Sequence, residues 1–127
     1  MIKAVLAIAV LAASSALACE DNIGVVLTAQ KQAAPEAVIV LPDIPLAQPF
    51  SARIKLCHGG FVTKLNVDAI MPAHQHGMNY VPTITDLGAG NHQVDGLVFH
   101  MPGIWEFQVE VTQGAEVNRY THSVTIR

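Results

Sequence analysis

The feature that most constrains the fold is a strict alternation of apolar and polar residues, which recurs in short runs along the chain. The alternation is clearest over Gly103–Val111, where a Trp, a Phe and two Val residues are separated by Glu, Gln and Glu. A period of two residues places alternate side chains on opposite faces of a β-strand. No stretch has the sustained 3.6-residue periodicity of an amphipathic helix. We therefore predict an all-β fold.

Turn-forming residues divide the sequence into short segments, because Pro, Gly and Asn separate the apolar runs. The predicted strands are Ile23–Thr28, Ala37–Leu41, Phe50–Cys57, Thr63–Met71, Val81–Ile84, Gln93–Met101, Gly103–Val111 and Val117–Ile126, with a hairpin turn at Leu87–Asn91. Seven or eight short strands of this spacing are typical of an antiparallel β-sandwich. A small closed barrel is the alternative.

The N-terminal residues have the pattern of a secretory signal peptide. Lys3 precedes an uncharged apolar run to about Leu11, and Ala16-Leu17-Ala18 supplies the small-x-small pattern of a cleavage site. The alternative is a membrane anchor, for which the run is short. We predict a cleaved signal peptide at residues 1–18 and a single domain, residues 19–127, exported to the periplasm.

Cleavage after Ala18 would make Cys19 the first residue of the mature chain. The only other cysteine is Cys57. A disulfide between the two is favoured, because it leaves no odd thiol in an oxidising compartment. Lipidation of Cys19 is the main alternative and would bring the protein to a membrane, but lipoprotein signals prefer Leu at the position that Ala16 occupies. Two free thiols are the third alternative.

Composition and motifs narrow the function. Hydrophobic residues make up 51% of the 127 residues and charged residues 13%, unlike a disordered, charge-rich chain. The formal net charge of −3 provides no basic surface for nucleic acid. The chain contains no G-x-S-x-G, H-E-x-x-H or P-loop motif. We predict a protein that is not an enzyme and that does not bind nucleic acid.

Histidine and methionine cluster in two places. Met71–Met78 reads M-x-x-H-x-H-x-M, and Met101 directly follows His100. Thioether sulfur is a soft ligand suited to Cu(I), and imidazole serves Cu(I), Cu(II) and zinc. An H-x-H pair in extended backbone places both rings on one side, where they can hold one ion. The predicted ligands, in order of preference, are His74 and His76, then Met78 and His100, then Met71 and Met101.

Ordinary structural roles compete with this interpretation. Met71 and Met101 each continue the apolar face of a predicted strand, so either could belong to the core. His74 and His76 could be solvated loop residues. The remaining histidines are predicted to be structural or to lie at the surface: His58, His92 and His122.

Two sequence blocks resemble a known family. MPAHQHGMNYVPTI is similar to the MP-x-H-x-H loop of the YtkA-like and FixH-related family, and GLVFHMPGIWEFQVEV is similar to that family's closing signature. Together they lie within Leu65–Val111. The resemblance implies an immunoglobulin-like β-sandwich on the outer side of the inner membrane, with a role in copper handling or in assembly of haem–copper oxidases. It implies the same six ligands, and its signature includes Trp105, which the alternation of residues 103–111 places in the core. FixH proteins keep a membrane helix, which this chain is predicted to lose.

The sequence thus predicts a periplasmic copper carrier, chaperone or buffer. Methionine ligands favour Cu(I), whereas histidines alone would suit Cu(II) or zinc. The expected partner is a copper-receiving protein, such as an oxidase assembly factor. One rival is a metal-free sandwich that binds a protein or a small ligand. It predicts that His74 and His76 point into solvent, more than about 8 Å from His100 and from any Met sulfur, whereas metal–ligand bonds are near 2 Å. A copper enzyme is the second rival and would need an open coordination position in a concave pocket.

Overall fold

The computed structural model of the chain describes residues 4–5, 7–9, 19, 23–57 and 60–127. The predicted signal peptide and its cleavage position fall mostly outside these residues, so the leader stays a prediction. Within the described part of the chain, no helix has the length and apolar character needed to cross a bilayer.

The described residues form two antiparallel β-sheets of five strands each, which confirms the predicted all-β sandwich. The strands are β1 (Val25–Val26), β2 (Thr28–Ala29), β3 (Ala37–Val40), β4 (Phe50–Leu56), β5 (Lys64–Met71), β6 (His76–Gly77), β7 (Thr83–Gly88), β8 (Asn91–Leu97), β9 (Gly103–Gln113) and β10 (Glu116–Ile126). The first sheet has the order β1-β3-β4-β8-β7 and the second has the order β2-β10-β9-β5-β6. Each sheet has its own edge strands, unlike the closed barrel that was the alternative.

The strand count exceeds the predicted seven or eight because two short segments contribute separately. The predicted strand Ile23–Thr28 is divided at Leu27, where the chain passes from the first sheet to the second. Leu27 is buried, and its N–H donates to the carbonyl of Ala37 at 2.8 Å. The other addition is β6, a two-residue strand in the histidine-containing loop. The predicted hairpin at Leu87–Asn91 is confirmed by the turn between β7 and β8.

The core lies between the two sheets and is rich in aromatic side chains. Trp105 is fully buried, as expected, and its ring lies parallel to that of Phe99 with centroids 4.6 Å apart. Phe50 meets Phe99 edge-on with ring centroids 5.0 Å apart, and Phe107 lies at a tilt to Phe99 with centroids 5.3 Å apart. Since Phe50 comes from the first sheet and Trp105 from the second, Phe99 joins the two sheets at this end of the sandwich.

Strand β8 ends earlier than predicted, and the difference matters for the site. The prediction carried the strand to Met101, but β8 stops at Leu97 and residues 98–102 form a loop. Within the loop, the carbonyl of Phe99 accepts a hydrogen bond from the N–H of Ala47 at 2.8 Å. Alternation therefore ends before Met101, whose side chain is 36% exposed. A core position for Met101 is ruled out, whereas the core alternative for Met71 is confirmed at 1% exposure.

A disulfide joins Cys19 to Cys57, as predicted, with Cα atoms 4.9 Å apart. Glu36 accepts a hydrogen bond from each of the two cysteines. Its carbonyl accepts from the N–H of Cys57 at 2.9 Å, and its carboxylate accepts from the N–H of Cys19 at 3.2 Å. Because the sulfur of Cys19 is in the disulfide, it is not free to carry a thioether-linked lipid. Neither the lipid alternative nor the alternative of two free thiols fits this structure.

The strand registers bring three connections to one end of the sandwich, which we call the histidine end. These are residues 41–49 between β3 and β4, residues 72–82 between β5 and β7, and residues 98–102 between β8 and β9. The opposite end holds the β7–β8 turn and the β9–β10 turn, with Cys57 at the end of β4.

Candidate metal centre

A tight turn at the end of β5 positions the H-x-H pair. The carbonyl of Met71 accepts hydrogen bonds from the N–H of His74 at 3.1 Å and of Gln75 at 2.8 Å, and Gln75 adopts a left-handed φ of 53°. The chain then returns as β6, with His76 directly opposite Met71. Opposed residues of an antiparallel pair share a face. His76 therefore lies on the inner face of its sheet, next to a buried thioether.

The loop at residues 98–102 brings a third imidazole to the same place. Trp105 donates from its indole Nε1–H to the carbonyl of Met101 at 3.0 Å, which anchors the loop. The ring of His100 lies 5.5 Å from that of Trp105, and the ring of His76 lies 6.2 Å from it, both in edge-to-face geometry. Both histidine rings therefore lie against the same indole ring.

The three imidazoles form a continuous row. The ring centroids are 5.8 Å apart for His74 and His76 and 5.5 Å apart for His76 and His100, with interplanar angles of 28° and 29°. Two imidazoles that share one ion have centroids up to about 6 Å apart, because each metal–nitrogen bond is about 2 Å. Both distances fall within this span. His74 is exposed, whereas His76 and His100 are half-buried.

The three rings do not converge on one point. Among the residues that the structure describes, the one group of three or more His, Cys, Asp or Glu side chains whose ligand atoms all lie within 4.8 Å of one another is Cys19, Glu36 and Cys57. The two sulfurs of that group are joined in the disulfide. The row of histidines therefore offers adjacent pairs of ligands rather than a closed triad.

The predicted methionine ligands occupy three different environments. Met71 is in the core, and its Cε lies 2.7 Å from the position that a Cβ on Gly103 would take. Met78 is half-buried against the core, and its N–H donates to the carbonyl of Ala69 at 3.3 Å. Met101 lies at the exposed rim beside His100. All three therefore come from the strands and loops of the histidine end.

One imidazole nitrogen of the row is buried without a hydrogen-bond partner. The Nδ1 atom of His100 is buried and has no hydrogen-bond partner. An unsatisfied buried polar atom costs about 1–3 kcal/mol. Donating a lone pair to a metal ion would relieve that cost, so the donor chemistry of His100 fits a ligand role.

The sequence did not identify a buried histidine at the opposite end. His92 was predicted to be structural or to lie at the surface; it lies in β8 with 5% exposure, and its Nδ1 atom has no partner. Its Nε2 atom is 4.0 Å from a carboxylate oxygen of Asp86 across the β7–β8 pair. The shared alternation of His92 with Val94 was the signal for burial. His58 lies outside the described residues, and His122 is half-buried on β10.

Comparison with protein-family models, with curated proteins and with solved structures found no match to this chain. The resemblance to the YtkA-like and FixH-related family therefore rests on the two sequence blocks that suggested it.

Proposed function

We propose that this protein is a periplasmic copper-binding carrier or buffer whose site is the row of His74, His76 and His100. The observation that carries the proposal is the approach of His100 to His76, at a centroid distance of 5.5 Å, from a segment more than twenty residues away. The metal-free alternative predicts a separation of more than about 8 Å between these two histidines, and it also predicts the exposure that His74 has. The unpartnered Nδ1 atom of His100 adds independent support.

The charge of the surroundings favours Cu(I) over Cu(II) or zinc. The three connections of the histidine end contain one charged side chain, Asp43, so the available donors are neutral imidazoles and thioethers. Trp105 provides an apolar floor beneath two of the rings. Placing an ion beside an apolar surface without an anionic ligand costs more for a divalent than for a monovalent ion. Thioethers from Met78 or Met101 would add to the preference for Cu(I), whereas Met71 is in the core.

The disulfide is consistent with export, because such bonds persist in oxidising compartments. Thiols that could bind copper tend to be oxidised there, which makes His and Met the practical ligands. His74, as the exposed member of the row, is the ligand from which an acceptor protein would take the ion. The expected acceptor is a copper-receiving protein such as an oxidase assembly factor.

The direct test is Cu(I) binding to the mature chain, residues 19–127. Cu(I) is kept reduced with ascorbate, which avoids a thiol reductant, and the protein competes with a chromophoric Cu(I) chelator without oxygen. We expect tight one-to-one binding that is lost in the double variant His74→Ala/His76→Ala. His122→Ala is the matched control, since it removes a half-buried histidine from β10 and should leave binding unchanged.

The fluorescence of Trp105, the single tryptophan, supplies a second readout. Because its indole lies against two rings of the row, copper bound there should quench its emission in the wild type and not in the double variant. If the wild type neither competes with the chelator nor changes its emission, Cu(I) carriage is wrong. The metal-free binding module then becomes the leading account.

A further inference from the structure

The group formed by Cys19, Glu36 and Cys57 lies at the end of the sandwich opposite the histidine row. The two sulfurs and a carboxylate oxygen of Glu36 all lie within 4.8 Å of one another. The first sheet fixes two of the three residues, because Glu36 directly precedes β3 and Cys57 directly follows β4. Their neighbours Ala37 and Leu56 are paired in the register of these strands, and the N–H of Cys57 donates to the carbonyl of Glu36. Backbone pairing therefore holds Glu36 beside Cys57 independently of the disulfide.

The carboxylate of Glu36 indicates what the two cysteines would bind once they are reduced. Cysteines that react with other thiols are activated by cationic neighbours, which stabilise the thiolate. A carboxylate beside the sulfurs has the opposite effect, and a bound cation would offset its charge. Two thiolates and one carboxylate carry three negative charges, which suits a divalent ion. Thiolate and carboxylate are both ligands of zinc, whereas a carboxylate is a hard ligand that suits Cu(I) poorly.

The spacing of the group fits a zinc ion. Zinc bonds of about 2.3 Å to sulfur and about 2.0–2.2 Å to oxygen place tetrahedral ligand atoms roughly 3.6–3.8 Å apart. The Cα atoms of the two cysteines are 4.9 Å apart, so rotation of the side chains can bring the separated sulfurs to that spacing. The predicted cleavage after Ala18 would also turn the nitrogen of Cys19, 3.2 Å from the carboxylate of Glu36, into an α-amine that can serve as a fourth ligand.

We propose that reduction of the Cys19–Cys57 disulfide creates a zinc site made of the two thiolates and the carboxylate of Glu36. The site is separate from the histidine row and does not depend on the copper-binding function. The oxidised chain described here is the form that does not hold zinc, and the reduced chain is the form that does.

The reductant is a dithiol, and the exchange proceeds in two steps. One of its thiols loses a proton and attacks the sulfur of Cys19, which is half-buried, whereas Cys57 is 3% exposed. The disulfide bond breaks, and Cys57 leaves as a thiolate that takes up this proton. The second thiol of the reductant then displaces Cys19, which leaves as a thiol, and the reductant ends as a disulfide. Zn²⁺ displaces the two thiol protons when it binds.

Cobalt replaces zinc in the test, because thiolate ligands give Co²⁺ a near-ultraviolet charge-transfer absorption that histidine ligands do not give. The mature chain, residues 19–127, is reduced with a phosphine and titrated with Co²⁺ without oxygen. We expect one thiolate-bound Co²⁺ per chain, which Zn²⁺ displaces. The oxidised chain keeps the histidine row and should show no such absorption. Absence of the absorption in the reduced wild type overturns the proposal.

Glu36→Gln tests the carboxylate, because the amide keeps the shape of the side chain and removes its charge. The affinity for Zn²⁺, measured by displacement of Co²⁺, should fall by at least about tenfold, since even outer-shell partners of a metal site contribute that much. Glu116→Gln is the matched control, because that carboxylate is exposed and pairs with Lys31 at 3.3 Å. This control should bind Zn²⁺ like the wild type. Equal affinities of Glu36→Gln and the wild type refute a ligand role for Glu36 and with it the proposed site.

Circular dichroism follows the fold in the same samples, because reduction removes a crosslink. If the reduced chain loses its β-sheet signal, Zn²⁺ should restore the signal in the wild type and not in Glu36→Gln, since metal binding then drives folding. A signal that Zn²⁺ does not restore counts against the site. The double variant His74→Ala/His76→Ala should bind Zn²⁺ like the wild type, and loss of binding in that variant would place the ion at the histidine row instead.

Discussion

The disulfide closes a long loop, and its contribution to stability can be estimated from that length. Cys19 and Cys57 are 38 residues apart, and closing a loop of this size removes about 13 cal/mol/K of entropy from the unfolded chain, or about 3.9 kcal/mol at 25 °C. The closed loop contains β1, β2, β3 and all of β4. Without the disulfide, the unfolded chain regains this freedom, and the free energy of unfolding should fall by about that amount.

The measurement compares the mature wild type with the variant Cys19→Ser/Cys57→Ser by urea denaturation. The midpoint should fall while the native fold is retained, and the melting temperature should fall by roughly 15–20 °C. Cu(I) affinity is the internal control, because the disulfide and the histidine row lie at opposite ends of the sandwich. A loss of less than about 1 kcal/mol, with an unchanged denaturant slope, would refute the loop-closure reasoning, since that reasoning assigns nearly the whole effect to the unfolded chain.

Three further outcomes follow from contacts described above. Gly103→Ala should destabilise the fold by about 1–3 kcal/mol in thermal denaturation, because its φ of 132° disfavours a side chain and the new Cβ would lie 2.7 Å from Cε of Met71. Gly96→Ala, with a φ of 82° and open space around the Cβ position, should cost less, and equal losses would argue against the contact. Tyr120→Phe should cost about 1–2 kcal/mol in urea denaturation, because it removes the 2.6 Å hydrogen bond from the buried hydroxyl to the carbonyl of Pro35. Burial raises the pKa of Tyr120 above its ordinary value of 10.0. The neutral phenol is therefore favoured in the fold, and the associated stability is complete below pH 10 and declines as the pH rises through the native pKa. Stability measured above pH 10 should decline more steeply for the wild type than for Tyr120→Phe.

The period-two pattern was sufficient to predict the longer inner strands, because β4, β5, β8, β9 and β10 each have one face in the core. Gly103–Val111 lies within β9, which extends two residues further, to Gln113. The prediction was less accurate where the sheet has an edge. Strand β7 was placed at Val81–Ile84 but runs over Thr83–Gly88, because only Ile84 of that strand is partly buried and its burial pattern is weak.

The candidate site could be predicted only in part. His74 and His76 were found from their spacing, which is a local property of the chain. The proximity of His100 depends on where β8 ends and on the hydrogen bond that ties the following loop to Trp105. Both features depend on contacts between distant segments. Alternation by itself predicted, wrongly, that β8 continues to Met101. For the same reason, the sequence did not separate buried Met71 from exposed Met101.

The placement of the disulfide has a redox consequence. Strand β4, whose seven residues run from the histidine end toward Cys57, is about 24 Å long at the usual rise per strand residue. If the proposed site holds Cu(I), that one-electron reductant would lie about this far from the disulfide, too far for the ion and the sulfur pair to be in contact. A copper ion at the proposed site and the Cys19–Cys57 disulfide could then coexist in one small domain without touching each other.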